Sequence, residues 1–246
     1  MTKDSLTVVS LNIEHDKHLE KIIPAVKRIH PEVCCFQEAI LSSVPKLSSD
    51  LDLPYSYFIP LANGSQTKAW NIHPDDQWGI LFLSKTPFRD SGLYCYVGDQ
   101  ETVPEIRKHP NSVRRAIAWI KISKFTLLQT HFTWTPVHWG GITLEQSTDF
   151  AKLLAGLDQF PSGVLCGDLN SPRGKSLWSQ LADRFTDYTP PEIITTIDPK
   201  LHRAGDLKIV VDCVFGWGDH QVTDTELLTG ISDHYGFKFI VRLNNK

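Results

Sequence analysis

The stretch GVLCGDLNSP, residues 163–172, sets an apolar run against an abrupt polar stop. Gly163 to Cys166 read as a buried strand. Gly167 follows, then Asp168 and Asn170 two residues apart, then a stop at Ser171-Pro172. Side chains at i and i+2 of an extended chain point to the same face, so the acid and the amide share a side. Taken alone, Asp-x-Asn after a strand reads as a turn cap. It equally supplies an acid and an amide suited to handling a phosphate. The rest of the chain decides between these readings.

Working outward, the same arrangement recurs. An extended run at Leu6–Ile13 carries Asn12 and Glu14 at its end, and a second at Glu32–Gln37 is followed by Glu38. A third at Thr126–Thr130 is followed by His131. Asp212 lies inside the apolar run Ile209–Phe215, where a buried acid needs a partner, an arginine or a backbone amide. Ser232-Asp233-His234 immediately precedes a final strand at Tyr235–Leu243. Further strands are expected at Tyr55–Ile59, Gly79–Ser84, Gly92–Val97, Ala116–Ile122, Lys208–Phe215 and Gln221–Thr223.

Helical spacing appears between them. Leu19, Ile22, Ile23, Val26 and Ile29 fit a helix over Lys17–Ile29 that Pro31 ends. Thr143–Leu157 is a second helix, with shorter ones near Ser42–Leu51 and at Ser176–Ala182. Strands alternating with helices predict α/β layers, two sheets packed face to face with helices outside. The loops Ala62–Trp78 and Gly98–Arg115 are long and polar, and the first holds Trp70, His73 and Trp78. Loops of that length in a compact domain are often functional.

Composition sets limits. The chain has 246 residues with 41% hydrophobic and 10% aromatic content, enough for a sizeable core. No linker, repeat or low-complexity tract divides it, so one domain over 1–246 is expected. The net charge of −3 argues against a dedicated duplex-binding module, which carries a basic excess. The five cysteines are odd in number and mostly lie in apolar runs, which suits core residues in a reducing compartment. With no leader segment and no apolar run long enough to span a bilayer, a cytoplasmic, monomeric protein without an obligate protein partner is expected.

Asp168, Asn170, Glu38, His131 and the Ser232–His234 segment together suit one chemistry. Hard divalent cations take carboxylate oxygens, neutral amides donate to phosphate without repelling it, and imidazoles stabilise developing charge. The ordered set LNIE (11–14), QE (37–38), TH (130–131), GDLN (167–170), VVDCVF (210–215) and SDH (232–234) resembles the endonuclease/exonuclease/phosphatase superfamily, across residues 11 to 240.

That resemblance implies a four-layer αββα sandwich of the deoxyribonuclease I type, two mixed sheets flanked by helices, with the site at one end. It implies magnesium as cofactor, with manganese a substitute, held by Glu38 with Asn12, Glu14 and Asp233 near the metal or its waters. Asp168 is then the acid that orients or deprotonates water, and Asn170 fixes that water or the phosphate. His234 backed by Asp212, and His131, contact the phosphate. Arg115 or Arg114 resembles a basic phosphate contact. The set has no evident acid to support His131, for which Asp75 or Asp76 are the candidates. After His131, Trp134 and Trp139 flank the expected site and could stack on a base or sugar, or pack against the following helix.

The resulting expectation is a magnesium-dependent phosphodiesterase acting on nucleic acid or nucleotide-like esters. The alternatives are a phospholipid or inositol-phosphate hydrolase and a catalytically silent binding module.

Overall fold

Two strand pairs run parallel, and they fix where the polar ends gather. The computed structural model describes residues 4–67, 69–134 and 142–244. In the N-terminal half, β1 (Ser5–Asn12) leads through helix α1 (Leu19–Ile29) to β2 (Val33–Ile40), which lies parallel beside it, Asn12 opposite Gln37. In the second half, β7 (Phe125–His131) and β8 (Gly163–Asp168) are parallel, with His131 opposite Asp168 and helix α3 (Leu144–Leu157) between them in sequence. Parallel neighbours require such a crossover.

Antiparallel strands complete each sheet. The first has the order β11-β12-β1-β2-β4-β3, adding β3 (Tyr55–Asn63), β4 (Gln77–Ser84), β11 (His220–Leu228) and β12 (Gly236–Leu243). The second has the order β5-β6-β7-β8-β10-β9, adding β5 (Asp90–Val97), β6 (Arg115–Ile122), β9 (Thr186–Asp187) and β10 (Asp212–Trp217). An antiparallel strand begins where its neighbour ends. Asp212, the first residue of β10, therefore faces Asp168, the last of β8. Likewise β12, antiparallel to β1, starts just after Ser232-Asp233-His234.

Three apolar clusters follow from the two-residue period of the strands and the helical stripes. One fills the space between the sheets, with Phe82, Phe125, Phe237 and Phe239 buried. A second lies between the first sheet and helices α1 and α2 (Val44–Asp50), through Leu19, Ile22, Val26, Val44 and Leu47. A third joins the second sheet to α3 and α4 (Ser176–Ala182), through Phe150, Leu153, Leu177 and Trp178. The result is the expected αββα sandwich, each fully buried side chain of this kind contributing about 1.5–3 kcal/mol.

A buried polar tie crosses the inter-sheet core. Gln37 Nε2 donates to Gln129 Oε1 at 2.9 Å, and Gln129 Nε2 donates to the Leu81 carbonyl at 2.9 Å. Gln37 precedes Glu38 and Gln129 precedes His131 by two, so the tie holds both sheets in register at the polar end.

Several boundaries differ from expectation. The two-residue β9 is too short to leave a pattern. Residues 208–211 stay off the ladder, and Thr196 takes two of their hydrogen bonds: its N–H donates to Ile209 O and its Oγ1 accepts from Val211 N. The edge strand β11 runs to Leu228 across a register shift between Thr223 and Glu226, which interrupts its alternation. None of the described helices is long and apolar enough to cross a membrane.

Candidate active site

The strand ends converge on one cavity of about 650 Å³. Glu14, Glu38, His131, Asp168, Asn170, Asp233, His234 and Arg115 line it. Asn12 and Asp212 lie directly behind, each held to a lining residue.

The acids are packed closely. Asn12 Nδ2 donates to both Glu38 Oε1 (3.2 Å) and Asp168 Oδ2 (3.3 Å), so one amide bridges carboxylates from the two sheets. Its Oδ1 accepts from Glu14 N at 3.2 Å. The Glu14 carboxylate is itself engaged by Lys17 and by His18 Nε2, the latter at 2.9 Å. Of the four residues expected around a cation, Glu38 and Asp233 keep carboxylate oxygens without a cationic lysine or arginine partner among the described residues. Asn12 and Glu14 are tied up in positioning contacts.

Asp168 makes the turn cap and still turns one oxygen to the cavity. Its Oδ1 accepts from Asn170 N at 2.7 Å, a turn cap, while Oδ2 faces Asn12, His131 and His234. Asn170 has φ 46° and donates Nδ2 to Phe132 O at 3.0 Å. Glu38 (φ 58°) and Glu14 (φ 47°) are likewise left-handed. Such non-glycine conformations cost about 1–3 kcal/mol each and concentrate at functional sites.

The imidazoles differ in charge. His234 Nδ1 donates to Asp212 Oδ2 at 2.9 Å. Burial alone would lower its pKa, but the carboxylates of Asp212, Asp168 and Asp233 outweigh that and hold it well above 6.5. His131 goes the other way: burial, then the Arg115 guanidinium, press it well below 6.5. Its Nε2 lies 3.5 Å from Asp168 and 3.8 Å from Glu38, and its buried Nδ1 has no partner among the described residues. Neither expected acid supports it. Asp76 accepts from Ser42 Oγ at 2.5 Å, and Asp75 lies beside His73 at 3.7 Å. The ring is held instead by Trp78, with centroids 5.3 Å apart.

The two arginines separate by strand phase. Arg115 is buried, donates to His131 O at 3.1 Å and sits 5.8 Å over the Trp78 ring. Arg114 points away, donating to Pro60 O at 2.7 Å and Gln100 O at 2.9 Å, and does not line the cavity. Trp134 lines the cavity and its carbonyl accepts from Asn111 Nδ2. Trp139 lies outside the described residues.

The cavity has members that no strand motif indicates. His15 Nε2 is 3.6 Å from Glu38. Trp70, from the long loop expected at Ala62–Trp78, and Trp78, which the structure puts in β4, form one wall, edge to face at 5.4 Å. His202 stacks edge-on against His234, centroids 5.9 Å apart. Burial, then the neighbouring His234 charge, lowers the His202 pKa to about 4.

The donor set fits a hard divalent cation. Burial first, and then neighbouring acids, push Asp168 and Asp233 up to about 7 despite the opposing His234 charge. Crowded carboxylates of this kind are relieved by a cation, and their oxygens are the ligands such an ion prefers. Among the described residues, Asp233 groups with His202 and His234, and Asp168 with Asp212 and His234, each set having its polar side-chain atoms within 4.8 Å of one another; the carboxylates are the members suited to the ion.

Comparison with known proteins gives a likeness in architecture. No family model matches the sequence, and no curated protein matches it. Among solved structures, an endonuclease/exonuclease/phosphatase from Bacteroides vulgatus superposes with a TM-score of 0.69 at 15% identity, covering 98% of this chain and 100% of that one. ANGEL2, a 2',3'-cyclic phosphatase in complex with adenosine-2',3'-vanadate, gives 0.69 at 14% identity over 99% and 97%. The Bacteroides thetaiotaomicron mannosyl-6-phosphatase Bt3783 gives 0.65 at 14% identity over 98% and 100%. Over nearly all of its length, then, this chain has the deoxyribonuclease I-like fold of the endonuclease/exonuclease/phosphatase structures.

Proposed function

We propose that the chain is a divalent-cation-dependent phosphoester hydrolase whose substrates are phosphodiesters of nucleic acid or nucleotide type. One observation carries the reading: a buried acid, Asp168, lies within 4.0 Å of the nearest nitrogens of two imidazoles in opposite charge states, beside carboxylates from the other sheet.

Glu38 and Asp233 would hold the cation, magnesium or manganese, with Asn12 and Glu14 orienting the carboxylates around it. When bound, the ion supplies positive charge to phosphoryl oxygens. Asp168, raised to about 7, is matched to accepting a proton from the attacking water near neutral pH. His234, kept cationic by Asp212, faces the phosphoryl oxygens. Asn170 and neutral His131 orient the group without adding negative charge. Arg115 contributes a fixed buried charge behind them.

The neighbours acting on a 2',3'-cyclic phosphate and a mannosyl phosphate support small phosphoesters as a class. A lipid substrate is less well supported: the exposed large apolar side chains Leu41, Tyr55, Leu144 and Ile194 do not line the cavity.

The test is turnover of bis-p-nitrophenyl phosphate with magnesium or manganese by the wild type and Asp168→Asn. Removing a general base typically costs about 10²–10⁴-fold, and equal rates would refute the mechanism. A parallel panel of single-stranded DNA, duplex DNA, RNA, cyclic nucleotides, sugar phosphates and sphingomyelin assigns the substrate class, and activity on sphingomyelin alone would overturn the nucleic acid reading.

A further inference from the structure

The segment from Thr195 to Leu207 joins β9 to β10 and has no regular secondary structure, yet it is tightly built. Thr196, Ile197 and Asp198 are buried. Asp198 N donates to Asp233 O at 2.8 Å, and Tyr235 N donates to Thr196 O at 2.7 Å, so Ile197 pairs with His234 as an antiparallel bridge. The Asp198 carboxylate caps the next turn, its Oδ1 accepting from Lys200 N and Leu201 N at 2.8 and 3.0 Å. His202 N then donates to Asp198 O at 3.0 Å, and Gly205 N donates back to His202 O at 2.9 Å. Each bond fixes where the His202 ring sits, in the cavity wall against His234.

One further contact fixes its chemistry. Ala204 N donates to His202 Nδ1 at 3.1 Å. A neutral imidazole has one N–H and one acceptor nitrogen. Since Nδ1 is the acceptor, the ring proton resides on Nε2. That nitrogen has no protein hydrogen-bond partner among the described residues. A ring nitrogen that carries its proton is a donor and has no free lone pair to offer a cation. His202 differs here from His234, whose Nδ1 is a donor to Asp212.

We infer that His202 is a substrate-contacting residue whose Nε2–H donates a hydrogen bond to the leaving-group oxygen of the phosphoester. The assignment rests on the hydrolase reading above. His234 neighbours two groups that line the same cavity: Asp168 Oδ2 is 4.0 Å from its Nε2, and the His202 ring is 5.9 Å from its own ring. Water handled at Asp168 attacks phosphorus, and the bond from phosphorus to the leaving oxygen breaks. The water proton passes to Asp168. The leaving oxygen departs with the bonding pair, accepts the hydrogen bond from His202, and takes its proton from solvent. A donor so placed matters in proportion to the charge on that oxygen, so its importance rises with the basicity of the leaving group.

The experiment uses the full chain in two arms. In the first, kcat/KM is measured for wild type, His202→Ala and His202→Gln on methyl p-nitrophenyl phosphate, phenyl-ester and alkyl-ester analogues of increasing leaving-group basicity, with manganese present. Loss in His202→Ala is expected to grow across the series, from about threefold to about a hundredfold, with partial rescue by His202→Gln, whose amide also donates. A uniform loss, or none, overturns the inference. In the second, ¹⁵N chemical shifts of the histidine side chains are read on the metal-free protein, with His202→Ala assigning the signal. A protonated Nε2 and an acceptor Nδ1 are expected, and the reverse tautomer overturns the inference whatever the kinetics show. If the wild type hydrolyses no ester, the hydrolase reading fails and the leaving-group role fails with it, while the tautomer stands on its own result.

Discussion

Asp212 Oδ2 lies 2.9 Å from His234 Nδ1, and both groups are buried. The pair spans two sheets, since Asp212 opens β10 and His234 precedes β12. Asp212→Asn keeps the shape but removes the charge. Without it, burial is opposed only by the charges of Asp168 and Asp233, and the His234 pKa falls from its present place well above 6.5. The sign is definite: a histidine pKa raised by folding stabilises the protein fully below the unfolded value and ceases to do so as pH rises through the folded one. The variant is therefore expected to lose turnover first on the alkaline side, with kcat down about 10²-fold at neutral pH. A pH–rate profile checks it. An alkaline limb at the same pH in both proteins would rule out the charge role.

Metal dependence should follow pH. Asp168 and Asp233 are raised from 3.8 to about 7. A carboxyl with a raised folded pKa holds its proton more tightly when folded. Its contribution is complete below the unfolded value of 3.8 and disappears as pH climbs through about 7. The metal-free protein should accordingly lose stability between these limits. A cation needs the deprotonated carboxylates, so binding releases protons. The gain in Tm from millimolar magnesium or manganese is expected to be small near about pH 5.5 and large near about pH 8. A gain independent of pH would exclude these two acids from the cation site.

The fold was legible because the strands and long helices carry strong periodicity, and because Pro31 and Ser171-Pro172 mark stops. The polar strand ends could be grouped since parallel neighbours must end at one side of a sheet. What stayed hidden depends on phase and on loops. Arg114 and Arg115 are adjacent on an extended chain and point to opposite faces, and a sequence alternation does not say which face meets the cavity. His202 reaches the site through Asp198 N bonded to Asp233 O, a contact between segments 35 residues apart that leaves no local pattern. His131 lacks its expected acid because Asp76 is taken by Ser42.

Gly167 permits the close approach of β7 and β8 beneath the site. Its φ is +128°, and a Cβ there would lie 2.2 Å from the Thr130 carbonyl oxygen, a backbone atom that cannot rotate away. Gly167→Ala is expected to destabilise by about 3 kcal/mol or more and to disturb the His131–Asp168 contact. Gly174→Ala is the control. It shares a left-handed φ of +84° but meets nothing within 4 Å, so it should cost about 1 kcal/mol. Denaturant melts of both variants measure the difference, and equal costs would show that the clash is absorbed by strand movement.

Trp70 separates recognition from support. It is held at φ 59°, ψ 20°, edge-on to Trp78, which in turn packs on His131 and carries Arg115. If the ring stacks on a base, removing it costs the substrate about 1–3 kcal/mol. Trp70→Ala should then raise KM for nucleotide substrates about tenfold, with kcat little changed and Trp70→Phe intermediate. Bis-p-nitrophenyl phosphate, which carries no base, should respond less. If the ring instead braces Trp78 and His131, kcat falls for both substrates alike. Trp70→Gly resolves the remaining ambiguity. It removes the same ring while relieving the left-handed backbone, a gain of about 1–2 kcal/mol over alanine. Matching KM values in the glycine and alanine variants, despite different melting temperatures, would assign the effect to the lost ring and not to a loosened loop.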